Sequence, residues 1–222
     1  MPKLSKKADR QQQIVRGLMR ALAKRGYAGA PISAIASEAG LTPGLLHYYF
    51  KGKQEILLAL MDTIQAEVLD RLEPRLARAG GDPWERLFAF TDALLEADDS
   101  ADADDAAACW VAIAAEAVHE PVLRQRYRAS LEELTQRLSP LLADVFAAEG
   151  RSTDVLDSAA AAITALIQGV HHLDRTAPDL APLGSSAPLA RQMIAGMILG
   201  QPSVGQRNEP NETGPSHKRR GP

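Results

Sequence analysis

Two short helical patterns, ISAIASEA at 32–39 and PGLLHYY at 43–49, are separated only by Gly40, Leu41 and Thr42, and this limits the fold more than any other feature. Gly40 suits the position just past a helix end, where glycine adopts positive φ without steric cost. Thr42 followed by Pro43 marks a new start, a hydroxyl N-cap with proline at the first helical position. Two helices joined by so short a glycine turn form a helix-turn-helix. In that unit the second helix enters the major groove of DNA, its N-terminal residues toward base edges.

The rest of the chain continues the helical period, and no alternating β-branched run competes with it. Asp9 with Gln12 resembles a capping box; Ile14, Leu18, Ala21 and Leu22 form one stripe, and Gly26 ends that helix. Gly52 closes the helix after Thr42. A long helix follows from Lys53 to about Arg71, with Ile56, Leu60, Ile64, Val68 and Leu72 in line, and Pro74 should end or kink it. Further helices are expected at about 83–97, 104–119, 122–148, 153–176 and 188–199, with a bend at Pro140. The acidic stretch ADDSADADDAAA at 97–108 reads as a solvated loop and helix start rather than a metal site. The expected fold is all-α, about nine helices. Residues 1–53 form a DNA-binding domain with the helix-turn-helix at about 31–50, residues 54–200 a body, and residues 201–222 a disordered tail.

Charge supports the DNA reading. The net charge of −3 conceals ten Lys and Arg against two acids in residues 1–53, a local +8, with −11 in the remainder. A basic module on an acidic body is the footprint of an end that meets phosphate. On the second helix of the unit, Leu45, Leu46 and Phe50 can turn inward against Ile32, Ile35 and Ala36. Thr42, Pro43, Gly44, His47 and Tyr48 are then left outward; Tyr49 could serve packing or DNA. Lys53, at the start of the long helix, places an ammonium beside free N–H groups that suit a phosphate.

Other functions find little support. The chain has no GxSxG, HExxH, P-loop or GxGxxG pattern, so an enzyme is not expected. Adjacent His171 and His172 diverge by about 100° on a helix and cannot share a metal as an i, i+4 pair would. Neither metal nor cofactor is expected. A single cysteine, Cys109, excludes an intramolecular disulfide and fits a reducing cytoplasm. There is neither a signal-peptide pattern nor an apolar run of membrane-spanning length. A helical protein–protein adaptor is the rival reading, and it would not need the basic N-terminus.

Residues from about Arg10 to Asp70 resemble the DNA-binding domain of TetR-family transcriptional regulators. The match rests on YAGAPISAIASEAGLTPGLLHYYFKGKQEILLAL, at 27–60. The resemblance implies phosphate contacts at Thr42, Tyr48, Tyr49 and Lys53, and base-edge contacts at Pro43, Gly44 and His47. Ser33 falls where some members read a base from the second helix. One departure is Pro31, where the family commonly carries a hydroxyl residue.

The segment from Trp110 to Arg124, followed by Tyr127, is similar to the C-terminal domain of the branch that includes the betaine-pathway repressor BetI. The resemblance implies a cytoplasmic, ligand-responsive repressor that binds a double-stranded, palindromic operator as a homodimer and is released by a small-molecule effector; an activator is the alternative. A ligand cavity would draw on Trp84, Phe88, Trp110, Ile113, Glu116, Tyr127, Gln168 and His171. If Glu116 lines it as a carboxylate, a cationic or donor ligand is favoured. The last two helices would form the dimer interface. Their candidates are Ala159, Ile163, Ile167 and Val170, with Leu189, Met193, Ile194, Met197 and Ile198 on the final helix.

Overall fold

The computed structural model describes residues 6–96, 101–180, 184 and 186–203, with side chains at all of these except 101–104. Its first three helices are α1 (Lys6–Arg25), α2 (Ile32–Ala39) and α3 (Pro43–Tyr49). Because α1 already runs from Lys6, Asp9 lies in its first turn rather than at an N-cap, where an acid still suits the helix dipole. The turn between α2 and α3 depends on Gly40, whose φ of +66° lets its N–H reach Ser37 O at 3.1 Å. Pro31 stands at the N-cap of α2 without a side-chain capping bond.

α1 crosses α2 unusually closely. A Cβ placed on Gly17 would lie 2.7 Å from Ala39 Cβ and 2.9 Å from Ile35 O. Side chains of α1 then fasten the end of α2. Gln13 Nε2 donates to Ala39 O at 2.7 Å, Arg20 Nη2 to Glu38 O at 2.5 Å, and Lys24 Nζ pairs with the Glu38 carboxylate at 2.9 Å. These bonds satisfy carbonyls that a helix end otherwise leaves open.

The body contains α4 (Lys53–Ala79), α5 (Pro83–Leu95), α6 (Ala101–Ala117), α7 (Pro121–Ala148), α8 (Leu156–Thr176) and α9 (Ser186–Leu199), with 3-10 turns at Thr153–Val155 and Pro178–Leu180. α4 continues past Pro74 to Ala79, so the helix does not end at the proline. Interior proline costs a helix about 3 kcal/mol. Burial of Leu72, with Leu76 packed on the same cluster, offsets that and keeps the last turn formed. α7 is continuous past Pro140, as a single helix over this span was expected to be.

Two hydrophobic cores result. The first joins Ile14, Leu18, Ile35, Leu46 and Phe50 to Ile56, Leu60 and Ile64 of α4, and extends to Cys109, Trp110 and Ile113 of α6. The second gathers Leu72, Leu87, Phe90, Leu142, Phe146, Ile163, Ile167 and Ile194. A division after Lys53 therefore cuts the sequence, not the packing: α6 is part of the floor on which the N-terminal helices rest. Of the expected tail, Gln201–Ser203 is held. Arg151 Nη1 donates to Gln201 O at 2.7 Å, and Ser203 makes an isolated antiparallel bridge with Arg151. Residues 204–222 lie outside the described residues, as do 97–100 of the acidic stretch.

The faces of α8 depart from expectation. Ala159, Ile163 and Ile167 are buried within the same chain, in the second core. They pack with α5, α7 and α9 in that core, which leaves little of their surface for another protomer. The outward face carries Ala161, Ala162, Ala165, Gly169 and Leu173. Val170 and Met197 are half-buried at its margin, and Ile194 and Ile198 also point inward. On α9, Leu189 and Met193 stand exposed at 51% and 53%.

Candidate nucleic-acid interface and internal cavity

The exterior of α3 follows from how its interior is anchored. Leu46 and Phe50 are buried, and Leu45 is half-buried. With a seven-residue helix fixed by these, Thr42, Pro43, Gly44 and His47 are exposed, and Tyr48 most of all at 79%. Ser33, on the neighbouring helix, is also exposed. Thr42 occupies the N-cap, yet its side chain makes no capping bond, so the hydroxyl is left for an outside partner. Tyr49 packs against the first core, while Tyr48 meets it edge-on at 5.0 Å between ring centres. A Cβ on Gly44 would touch nothing within 4 Å. Internal packing does not explain that glycine; close approach by another molecule would.

Glu38, near the end of α2, is paired locally. The Lys24 hydrogen bond holds the Glu38 carboxyl below its ordinary range despite opposing desolvation, with Lys24, Arg20 and Arg25 adding charge attraction. Lys53 is more constrained than its position suggests. Its ammonium donates to Tyr27 O and sits 3.6 Å from the centre of the Tyr27 ring. Partial burial pulls its pKa down, against the attraction of Glu116. Glu116 is therefore at the junction of α6 with the N-terminal helices, where it also raises the Tyr27 phenol after burial has done so. Cys109 lies in the same seam, its Sγ donating to Met19 O at 3.3 Å; burial pushes the thiol up to about 12, so it is inert at neutral pH.

The body encloses a cavity of about 100 Å³ among α4 to α8. Trp110, Gln168 and His171 are on its wall. Tyr127 lies behind Trp110, the rings 4.9 Å apart, and both Trp110 Nε1 and Tyr127 OH donate to Gln168 Oε1, at 2.9 and 2.8 Å. Four candidates are elsewhere. Ile113 is in the first core, and Glu116 is at the seam just described. Trp84 donates to Glu149 at 2.8 Å. Phe88 lies under the Arg191 guanidinium, which forks onto Asp92. Aromatic character suggested a pocket for these two, but α5 turns them toward α7 and α9 instead.

Sequence reasoning missed Arg71, Gln65 and Asp174, all on the wall. A charged residue on a long amphipathic helix reads as solvated, and nothing local marks these three otherwise. Gln65 is buried, accepting from Ser130 Oγ at 2.8 Å and Arg126 Nη2 at 2.9 Å, and donating to Glu133. Arg126 Nε also reaches Asp62 at 2.9 Å. This network ties the middle of α4 to α7, so a change at the cavity bears on the helix whose first residue is Lys53.

Residues 14–60 match the family model for bacterial regulatory proteins of the tetR family, and residues 83–198 that for the C-terminal region of BetI-type transcriptional repressors. The chain is 28% identical over 204 residues to the HTH-type transcriptional regulator BetI of Brucella suis biovar 1, covering 92% of this chain and 99% of that protein. Against BetI of Stenotrophomonas maltophilia it is 32% identical over 138 residues, 62% of this chain and 69% of the relative. A transcriptional regulator from a Rhodococcus species shares its fold at a TM-score of 0.73 and 27% identity, over 85% of this chain and 95% of that one. One from Saccharomonospora viridis, solved in complex with choline, gives 0.72 at 24% identity, over 86% and 96%.

Proposed function

Since the chain belongs to the TetR family of bacterial regulators, with a BetI-type C-terminal region, we propose that it is a repressor that holds a palindromic operator as a homodimer and releases it when a small molecule fills the cavity. Membership itself makes it a DNA-binding transcriptional regulator and not an enzyme.

The observation that carries the reading is the exposed face of α3. The side chains of Thr42, Pro43, His47 and Tyr48, with Gly44 among them, stand exposed, whereas Leu46 and Phe50 on the opposite side fix the helix in place. Pro43, Gly44 and His47 would read base edges, Ser33 a further one. Thr42, Tyr48, Tyr49 and Lys53 would hold phosphates. Lys53 can do so by keeping its bond to the Tyr27 carbonyl, since an ammonium has three donors.

The dimer is supported by the outward apolar faces of α8 and α9, with Ala165, Gly169, Leu189 and Met193 central. Two-fold operators require two recognition helices at a set spacing. Release is supported by α4, which carries Lys53 at one end and cavity residues such as Arg71 roughly 27 Å further along.

The decisive experiment is selection of bound DNA from a random pool with the purified chain, followed by titration at several salt concentrations. An inverted repeat with a steep negative salt slope is expected. Recovery of no preferred sequence would remove the reading. A reporter carrying that sequence should be silenced by the chain and relieved by an effector.

A further inference from the structure

The polar part of the cavity wall sets two guanidiniums, Arg71 and Arg175, beside two carboxylates, Glu67 and Asp174. Arg71 of α4 lies near His171, Asp174 and Arg175 at the end of α8, close enough for its charge to lower the His171 pKa. Its Nε is buried and has no hydrogen-bond partner among the described residues. A guanidinium does not deprotonate in a protein, and a buried N–H without a partner is costly to leave unmet. Two acids, Glu67 and Asp174, share the wall; Asp174 accepts from Ser186 Oγ, at 3.0 and 3.2 Å, and neither acid is hydrogen-bonded to that Nε.

Gln168 adds a second donor. An indole N–H can only donate, so the atom facing Trp110 must be the amide oxygen. Tyr127 donates to the same oxygen, which leaves the NH2 of Gln168 for a ligand. The apolar remainder of the wall includes Ile64, Val68, Leu94 and Ile167. The open donors of Arg71 and Gln168, beside these apolar side chains, complement an anion with a short apolar chain. They suit a quaternary ammonium poorly. Such a cation would face Arg71, and it would lack an aromatic box, because Trp110 and Tyr127 stack on each other and Tyr127 is off the wall.

We propose that the effector is a small aliphatic carboxylic acid, its carboxylate taken by Arg71 with Gln168 as a further donor, and its chain laid against the apolar wall. This rests on the effector-responsive reading above. Size agrees: a dry cavity of about 150 Å³ accepts benzene, so one of about 100 Å³ encloses roughly four heavy atoms, with the carboxylate at the mouth.

The test is calorimetry on the full chain at fixed ionic strength, with propionate, butyrate, butyramide and choline as probes. Butyrate should bind at least tenfold more tightly than butyramide, and choline should give no binding heat. Arg71→Gln should lose at least tenfold in butyrate affinity, and Arg71→Lys should recover part of it. Butyrate should also shift the 15Nε resonance of Arg71. The melting temperature of Arg71→Gln should stay within a few degrees of the parent's, so that a lost signal would not mean an unfolded protein. Equal binding of butyramide, binding of choline, unchanged butyrate affinity in Arg71→Gln, or no carboxylate binding by about 1 mM would each overturn the proposal. The two readings fail separately. Release of selected DNA by choline sinks the carboxylate and keeps the regulator; absence of any selected DNA sinks the regulator whatever calorimetry gives.

Discussion

Gly17 and Gly44 lie in one domain for unrelated reasons. A side chain at 17 would enter the α1–α2 contact, 2.7 Å from Ala39 Cβ, whereas one at 44 would meet open space. Gly17→Ala should therefore cost about 1–3 kcal/mol in denaturant unfolding, the usual range for overpacking. Gly44→Ala should leave stability unchanged or raise it by up to about 1 kcal/mol through helix propensity, while weakening operator binding. Stability and affinity moving together at position 44 would show that the glycine serves the fold. Elsewhere on the same face the effects should differ in kind. His47→Ala should relax preference at particular base pairs by about 1–3 kcal/mol. Lys53→Ala should weaken binding to every sequence and flatten the salt slope by about 0.9. Titration of both variants on operator and random DNA separates the two.

At the scale of elements, α9 and α8 govern assembly. Met193 is 53% exposed, while Ile167 at 3% is closed within its own chain. Met193→Arg should thus yield a folded monomer with weakened operator binding, because it sets a charge in an apolar contact between protomers. Ile167→Arg should instead unfold the body, because the charge would be buried without a partner. Light scattering beside circular dichroism distinguishes the outcomes. A dimeric Met193→Arg protein would place the interface elsewhere.

For the whole molecule, the cavity links stability to pH. Burial, chiefly, holds the His171 imidazole below its ordinary value; Asp174 opposes this, and Arg175 and Arg71 add to it. The unfolded chain then takes the proton first. Stability should be fully present above about pH 6.5 and decline as pH falls through that value toward the folded pKa. Melting curves from pH 8 to 5 should show His171→Gln declining less steeply than the parent. The same cavity limits regulation. Moving operator occupancy from about 99% to 1% needs roughly 10⁴-fold preference for the released conformation, about 5.5 kcal/mol. A ligand of a few heavy atoms can supply that only if the Arg71 contact differs between conformations.

What the sequence alone determined is local. Caps, glycines and the 3.6-residue period located the helices, the helix-turn-helix and the outward set Thr42, Pro43, Gly44, His47 and Tyr48, because a helix start and an amphipathic face are written in consecutive residues. Tertiary structure decided everything that depends on which neighbour covers a face. Periodicity put Ala159, Ile163 and Ile167 together, but only packing shows that the body encloses them and leaves Ala165 and Gly169 outside. It placed Glu116 on α6 without showing that α6 lies against the N-terminal helices, so the acid faces Tyr27 and Lys53 instead of the cavity. It marked Arg71 only as the approximate end of the long helix, with no sign of a special role. Only the arrangement of α4 to α8 around one cavity brings it onto the wall, its buried Nε without an acceptor among the described residues. A sequence records which residues share a face; contacts between faces distant in the chain are set by how all the helices pack at once.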